Sequence, residues 1–385
     1  MRVFVIAGEP SGDNLGAAVM AGLKELTGGD VTFEGVGGPG MESQGLRSRF
    51  PMAELSVMGL AEILPKYFHL KRRIRECAEA VLANPPDLLL TIDSPDFCLR
   101  VAALVKAKSD IRTVHYVAPT VWAWRPKRAQ KMAKVIDQVL ALFPFEPPFM
   151  QAAGMECDFV GHPISTQPQA SVEEVHQFRV QTGIGDAPLM LLLPGSRAGE
   201  VARLGATFGK VVEQMRNRHP ELIFVLPAAA NVAAQVEELV RDWPSGIVVL
   251  DPRDADPEEF ALAKRAAFRA ADVALAASGT VSLELAASDT PMVIAYDMAP
   301  LTRIIMKRML LTDTVTLVNL VSDTRVIPEF IGADCDAEKI APAVAAVLED
   351  PSDQFDALQV TMDRLGRGGE APGLRAARAI LDRLR

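Results

Sequence analysis

Short apolar runs, each closed by small or polar residues and followed by a helix-compatible stretch, recur along the chain and leave it few ways to fold. The first set is VFVIA (3–7), VTFEGV (31–36), LLLTI (88–92), TVHYV (113–117) and VLALF (139–143). Between them lie the helix-compatible stretches Leu15–Leu26, Phe97–Lys108 and Arg125–Val135. A run of this length that is apolar at nearly every position reads as a strand buried on both faces. Strands that alternate with helices pair in parallel, because a parallel neighbour requires a long crossover. The pattern pauses at GHPISTQPQAS (161–171), whose two prolines and small polar residues suit a linker. It resumes with MLLLP (190–194), LIFVLP (222–227), IVVL (247–250), VALAA (273–277) and PMVIAY (291–296). The expected fold is α/β, with two doubly wound parallel-sheet (Rossmann-like) domains at 1–165 and 172–335. Residues 336–385 read as charged helices that either cross back to the first half or reach a partner chain. The halves share a pattern but no repeated sequence.

Composition narrows the function. At 385 residues the chain is comfortable for two cores. Its 49% hydrophobic and 23% charged content is that of a globular protein. A net charge of −9 argues against broad binding to nucleic acid. Cys77, Cys98, Cys157 and Cys335 are scattered without metal-ligand spacing, which suits reduced thiols. The start, MRVFVIAGEPSGD, reaches Glu9 too soon for a signal peptide, and no stretch is long and apolar enough to span a bilayer. The expectation is a protein that is soluble or attached to a membrane only at its surface.

In open parallel sheets, ligands sit beyond the carboxyl ends of the strands. Those positions hold GEPSGDN, GVGGPG, DSPDF and APTVWAWR in the first half, and GSR, SGT and YDMAP in the second. Two such edges facing each other would make a substrate cleft. In PGSR (194–197), Gly195 and Ser196 allow close approach of backbone N–H groups to an anion, and Arg197 can grip a phosphate with two parallel bonds. A plain strand-to-helix turn with a solvated arginine explains the same residues. In GEPSGD (8–13), Glu9 and Ser11 are candidate hydrogen-bonding side chains for a polar ligand, while Ser11 and Asp13 could equally cap the following helix. TIDSPDF (91–97) ends a strand with Asp93 and Asp96; Asp93, nearer the strand end, is the better general base for a hydroxyl. Capping by Ser94 or Asp96 is the alternative.

Ser278, Gly279 and Thr280 open a helix with Glu284 one turn inside it (SGTVSLE, 278–284). A carboxylate beside a phosphate is electrostatically wrong unless it holds sugar hydroxyls, so the pair of motifs favours a nucleotide ribose. A variant capping box between Thr280 and Glu284 is the plainer reading. The GxGxxG spacing at 35–40 is a weak dinucleotide signal, because Gly45 soon interrupts any helix. The DAD at 254–256 reads as helix capping, and no metal is expected. Trp122 and Trp124 serve either as core or as a platform, Arg125, Lys127 and Arg128 as a solvated helix face, and His162 as a structural turn residue or a ligand contact. The stretch VMGLAEILPKYFHLKRR (57–73) mixes apolar residues, Tyr67 and Phe68 with Lys71, Arg72 and Arg73; it is either a core helix with a charged end or a patch that rests on lipid.

Taken in order, AGEPSGD, GVGGPGM, VMGLAEILP, IDSPDF, HYVAPTVWAWR, FPFE, FVGHP, LLPGSR, SGTVSLE and PMVIAY resemble the lipid-A-disaccharide synthase family, over roughly residues 3–330. The resemblance implies an inverting glycosyltransferase of GT-B architecture, with an acceptor and membrane-side N-terminal domain and a UDP-sugar donor domain. It implies condensation of UDP-2,3-diacylglucosamine with 2,3-diacylglucosamine 1-phosphate to the β-1,6 disaccharide and UDP. Asp93 would be the base on the acceptor 6-hydroxyl, with Glu9 and Ser11 in the acceptor-side wall. Gly195, Ser196, Arg197, Ser278, Gly279 and Thr280 would line the donor site, Glu284 would take the ribose, and Asn319 would lie near the nucleotide. No cofactor, no metal and no nucleic acid is implied; a cytoplasmic place at the inner membrane surface is, and a homodimer is left open. The chain departs from the family pattern at Val318, usually proline, and at Gly332, often glutamine. Three competing classes remain: a UDP-N-acetylglucosamine 2-epimerase, a non-catalytic lipid or nucleotide-sugar carrier, and a nicotinamide oxidoreductase.

Overall fold

The computed structural model describes residues 1–55, 60–299, 302–303 and 309–384, with the backbone alone for 60–66. The chain forms two compact units, residues 1–166 with 365–385, and residues 167–364.

The first unit runs β1 (Arg2–Ala7), α1 (Pro10–Leu26), β2 (Thr32–Val36), α2 (Pro39–Ser43), β3 (Arg47–Ser48), α3 (Leu60–Ala83), β4 (Leu88–Ile92), α4 (Pro95–Lys106), β5 (Arg112–Tyr116), α5 (Lys127–Met132), β6 (Gln138–Ala141), α6 (Pro147–Ala152) and β7 (Glu156–Phe159). Its seven strands are ordered β3-β2-β1-β4-β5-β6-β7 and pair in parallel. β4 is buried at every position, as its nearly continuous apolar run predicts. One core layer packs β-sheet residues such as Phe4, Ile6 and Leu89 against Cys77 and Val81 of α3 and Cys98 and Val101 of α4. The opposite layer sets Val3, Val5 and Leu90 against Val19 and Leu23 of α1.

The second unit runs α7 (Val172–Gln181), β8 (Leu189–Leu193), α8 (Ala198–Arg218), β9 (Ile223–Pro227), α9 (Ala233–Val240), β10 (Ile247–Leu250), α10 (Pro257–Ala270), β11 (Val273–Ala277), α11 (Val281–Ala287), β12 (Met292–Tyr296), α12 (Leu317–Ser322), β13 (Glu329–Ile331), α13 (Ala337–Glu349) and α14 (Ser352–Leu365). Its six strands are ordered β10-β9-β8-β11-β12-β13, again parallel. The helix after it, α15 (Pro372–Asp382), belongs to the first unit. Ala376, Ala377 and Ile380 of α15 join the core layer of α1, and Arg383 forms an ion pair with Asp158 at 2.7 Å.

Each strand order reverses once, between β1 and β4 in the first unit and between β8 and β11 in the second. At such a reversal the two crossover helices leave on opposite faces, so the strand ends stay uncovered.

Candidate active site

In the first unit the reversal sets the ends of β1 and β4 side by side, with Ala7 opposite Ile92. GEPSGD and DSPDF therefore abut. A Cβ on Gly8 would lie 2.5 Å from the Ser94 hydroxyl, so a side chain at position 8 would hold the two loops apart. Asp93 and Ser94 are consecutive left-handed residues (φ 50° and 43°), and Asp93 N–H donates to the Tyr116 carbonyl at 3.0 Å. On the adjoining strand end, Val117 has φ 86°, an outlier for a β-branched residue. Strain of this kind costs about 1–3 kcal/mol per residue and persists where the surroundings over-determine it, most often at functional sites. Ser94 stands at the N-cap of α4 but makes no side-chain cap bond, and Asp96 lies exposed in the first turn. Asp93 is half-buried at the strand end.

Glu9 occupies the N-cap of α1 with extended backbone, ahead of Pro10, and Ser11 is exposed beside it. Asp13 does not cap α1. Its buried carboxylate reaches the next loop and accepts N–H bonds from Gly38 (2.8 Å), Gly40 (2.8 Å) and Met41 (3.0 Å). Two amides of GVGGPG, those of Gly38 and Gly40, are thus taken by an internal anion, which leaves this glycine loop unsuited to a dinucleotide phosphate.

Further along the same edge, Trp122 meets Phe145 edge-on at 5.1 Å, Phe145 stacks on Phe143 at 5.4 Å, and Phe143 lies 5.4 Å from the His162 ring. His162 Nδ1 accepts the Ile164 N–H at 3.1 Å, and burial pulls its pKa down to about 4. That bond ties the ring into the turn after β7. Trp124 donates to the Thr120 hydroxyl at 3.0 Å and carries the Arg125 guanidinium over its ring. Glu146, in FPFE, is a buried carboxyl that accepts from the Leu142 and Phe143 amides; burial pushes its pKa up to about 8. Its sequence signal is a carboxylate directly before the Pro147 start of α6.

In the second unit the reversal brings PGSR, after β8, beside SGT, after β11, with Leu193 opposite Ala276. Gly195 has φ +117°, and a Cβ there would lie 2.6 Å from Glu200 Oε2. Ser196 N–H donates to that same carboxylate at 3.3 Å, and the Ser196 carbonyl accepts from Asn231 at 2.8 Å. Arg197 sits at the N-cap of the 21-residue helix α8, its side chain 67% exposed and 3.5 Å from Glu200 Oε1. The guanidinium is thus held near an N-terminus whose dipole also favours an anion. Glu200, absent from the motifs above, has one sequence signal: a carboxylate three residues into a helix that follows a glycine turn.

Gly279 (φ +155°) and Thr280 are exposed at the turn, with Ser278 half-buried behind them. Thr280 forms no side-chain cap bond; Glu284 instead pairs with Lys264 of α10 at 2.7 Å. Asn319 is buried, donating to the Ile327 carbonyl at 3.0 Å and accepting the Ile327 N–H at 3.1 Å. Its amide is engaged in tying α12 to the segment that leads into β13. Glu329 accepts from both Thr314 and Thr316 hydroxyls and from the Val315 and Thr316 amides, which fixes the turn into α12. Asp256 caps α10 through the Glu258 and Glu259 amides, which accounts for its place in DAD. Among the described residues, no cluster of His, Cys, Asp and Glu side chains has the arrangement of a metal site. The four cysteines are free.

The stretch 57–73 lies partly outside the described residues. From Tyr67 onward, Tyr67 and Phe68 are 42% and 81% exposed. Arg73 is drawn inward, donating to Glu54 at 2.8 and 2.9 Å and to Glu76 at 2.8 Å, so Lys71 and Arg72 are the exposed cations of the cluster. Among the described residues no helix is long and apolar enough to cross a membrane.

The architecture is shared with UDP-N-acetylglucosamine 2-epimerase from Neisseria meningitidis bound to UDP-N-acetylglucosamine, at TM-score 0.60 and 11% identity over 100% of this chain and 99% of that one. The fold and its strand-end loops define the class: a two-domain α/β protein of GT-B architecture. The family model for lipid-A-disaccharide synthetase matches residues 3–370. A lipid-A-disaccharide synthase of Ruegeria pomeroyi is 63% identical over 100% of this chain and 96% of its own length, and one of Rhodospirillum centenum is 45% identical over 99% and 94%. The chain belongs to the lipid-A-disaccharide synthase family and is a glycosyltransferase of lipid A biosynthesis, with UDP-sugar and lipid substrates. The likeness to the epimerase is one of fold.

Proposed function

We propose that the family's condensation of UDP-2,3-diacylglucosamine with 2,3-diacylglucosamine 1-phosphate runs here with Asp93 as the base and the PGSR and SGT loops as the nucleotide site. The observation that carries this reading is the strained Asp93–Ser94 turn at the strand reversal of the first unit. Asp93 takes the proton of the acceptor 6-hydroxyl as that oxygen attacks the anomeric carbon. The bond from the anomeric carbon to the phosphate oxygen breaks with its electron pair, and UDP departs. One base, with no enzyme nucleophile, gives inversion. Glu9 and Ser11, on the loop that touches Ser94, form the acceptor wall.

Charge that develops on the departing diphosphate is met by Arg197 and by the N-terminal amides of α8, shaped by Gly195 and Ser196. Glu284 accepts ribose hydroxyls, with Ser278, Gly279 and Thr280 forming the turn against which the nucleotide lies. Asn319 acts from behind, by holding α12 in place. Replacement Asp93→Asn should lower turnover about 10²–10⁴-fold, the usual range for a lost general base. Mass-spectrometric detection of the disaccharide reads this, and calorimetry should find UDP affinity unchanged. Near-normal turnover removes Asp93 from the role.

The same reading places α3 on the inner membrane surface, with Phe68 and Tyr67 entering the headgroup layer and Lys71 and Arg72 facing anionic lipid. Phe68→Asp should reduce co-sedimentation with anionic vesicles several-fold, while activity on detergent-dispersed substrates persists. Unchanged sedimentation removes α3 from the membrane contact.

A further inference from the structure

The Glu284 carboxylate is asymmetric. Oε2 accepts from Lys264 Nζ at 2.7 Å, while Oε1 has no hydrogen-bond partner among the described residues. Lys264 is itself well placed. It projects from the middle of α10, and its ammonium lies 5.1 Å from the ring centroid of Phe268, a buried residue one turn on. α10 is anchored at its start by the Asp256 cap and at its end by the Thr290 hydroxyl, which donates to the Phe268 carbonyl at 2.6 Å. The ion pair thus ties α11, which follows the turn carrying Ser278, Gly279 and Thr280, to the anchored α10.

We propose that Lys264 is a positioning residue of the nucleotide site. It holds Glu284 by one oxygen so that the other faces a ribose hydroxyl, and it offsets a negative charge that would otherwise repel the diphosphate. The proposal rests on the reading of Glu284 as the ribose acceptor. A solvated ion pair, each side chain more than a third exposed, explains the contact as a small stabilising interaction and nothing more. That alternative predicts no effect on nucleotide binding. The positioning role predicts one, because a carboxylate freed from its cation loses both its orientation and its charge partner.

The test uses the full-length chain, with UDP as ligand in calorimetry and the UDP-sugar donor in steady-state kinetics. Lys264→Met should weaken UDP binding and raise the donor KM about tenfold, with kcat within about threefold, since the acceptor base is untouched. Lys264→Arg should recover most of the loss. Glu284→Gln should also weaken UDP about tenfold, and Lys264→Met should then add little to it, because the two act as one unit. Binding of 2′,3′-dideoxy-UDP, which lacks the ribose hydroxyls, should be far less sensitive to Lys264→Met than binding of UDP. If Glu284→Gln weakens UDP but Lys264→Met leaves it within twofold, or if the two effects simply add, Lys264 is not a positioning residue and the ribose reading stands. If Glu284→Gln itself leaves UDP binding unchanged, the ribose reading falls and this proposal with it.

Discussion

Single atoms decide much of what the two loop clusters can be. Gly195 cannot carry a side chain: its φ of +117° disfavours one, and the Cβ would press within 2.6 Å of the Glu200 carboxylate. Gly195→Ala should therefore cost about 1–3 kcal/mol of stability in urea unfolding and weaken UDP binding as the Ser196 amide shifts. Retained stability and affinity would mean that the turn relaxes freely. Glu146 supplies a pH test at the same scale. Burial raises its pKa from an ordinary 4.5 to about 8, so between those values the folded chain holds a proton that the unfolded chain has released. Stability attributable to this group falls as pH rises through that window. Glu146→Gln, which has no proton to lose, should gain in melting temperature relative to the parent as pH goes from 6 to 9. Parallel pH curves for the two would show that the carboxylate is already ionised in the folded chain.

At the scale of elements, the turn between β2 and α2 is built on a residue from another helix. Asp13, on α1, satisfies three amides of the 38–41 turn. Asp13→Asn keeps one acceptor oxygen and replaces the other with a donor that faces an N–H, so a loss of about 1–3 kcal/mol is expected in urea unfolding. An unchanged midpoint would sink the account. In the sequence Asp13 stands at the start of α1, within capping reach, and nothing local marks this contact, because its partners lie 25–28 residues away. The buried strands were legible for the opposite reason. LLLTI coincides with β4 because a strand covered on both faces is apolar at nearly every position, and its one polar residue, Thr91, satisfies its hydroxyl on the Val114 carbonyl. The edge strands β3, β7 and β13 are short and carry Arg47, Glu156, Asp158 and Glu329, so no apolar run announced them. The turns that end the central strands were readable, since parallel order alone places ligands there. Lys264 was not: in PEEFALAKRAAFRA it is one charge among several on an ordinary surface helix, and its partner is set by tertiary packing.

At the scale of the whole molecule, the chain ends in the unit where it began. Residues 365–385 return to the first unit after 198 residues have built the second. The return is a matter of core chemistry. α15 presents Ala376, Ala377 and Ile380 on one face, all fully buried in the layer that holds Val19, Met20 and Leu23 of α1, and Arg383 completes the pairing on Asp158. The final helix should therefore report on the stability of the first unit, although the helices preceding it in sequence belong to the second. Ile380→Ala removes a buried side chain and should cost about 2–5 kcal/mol. Hydrogen exchange locates that loss, because amides exchange through the opening of the cooperative unit they belong to. Peptides covering β1, α1 and β2 should lose protection in the variant, while peptides covering α13 and α14, only a few dozen residues away along the chain, should keep theirs. If protection fell in α13 and α14 instead, the last helix would be acting as an appendage of its sequence neighbours, and the division into two separately cored units would fail.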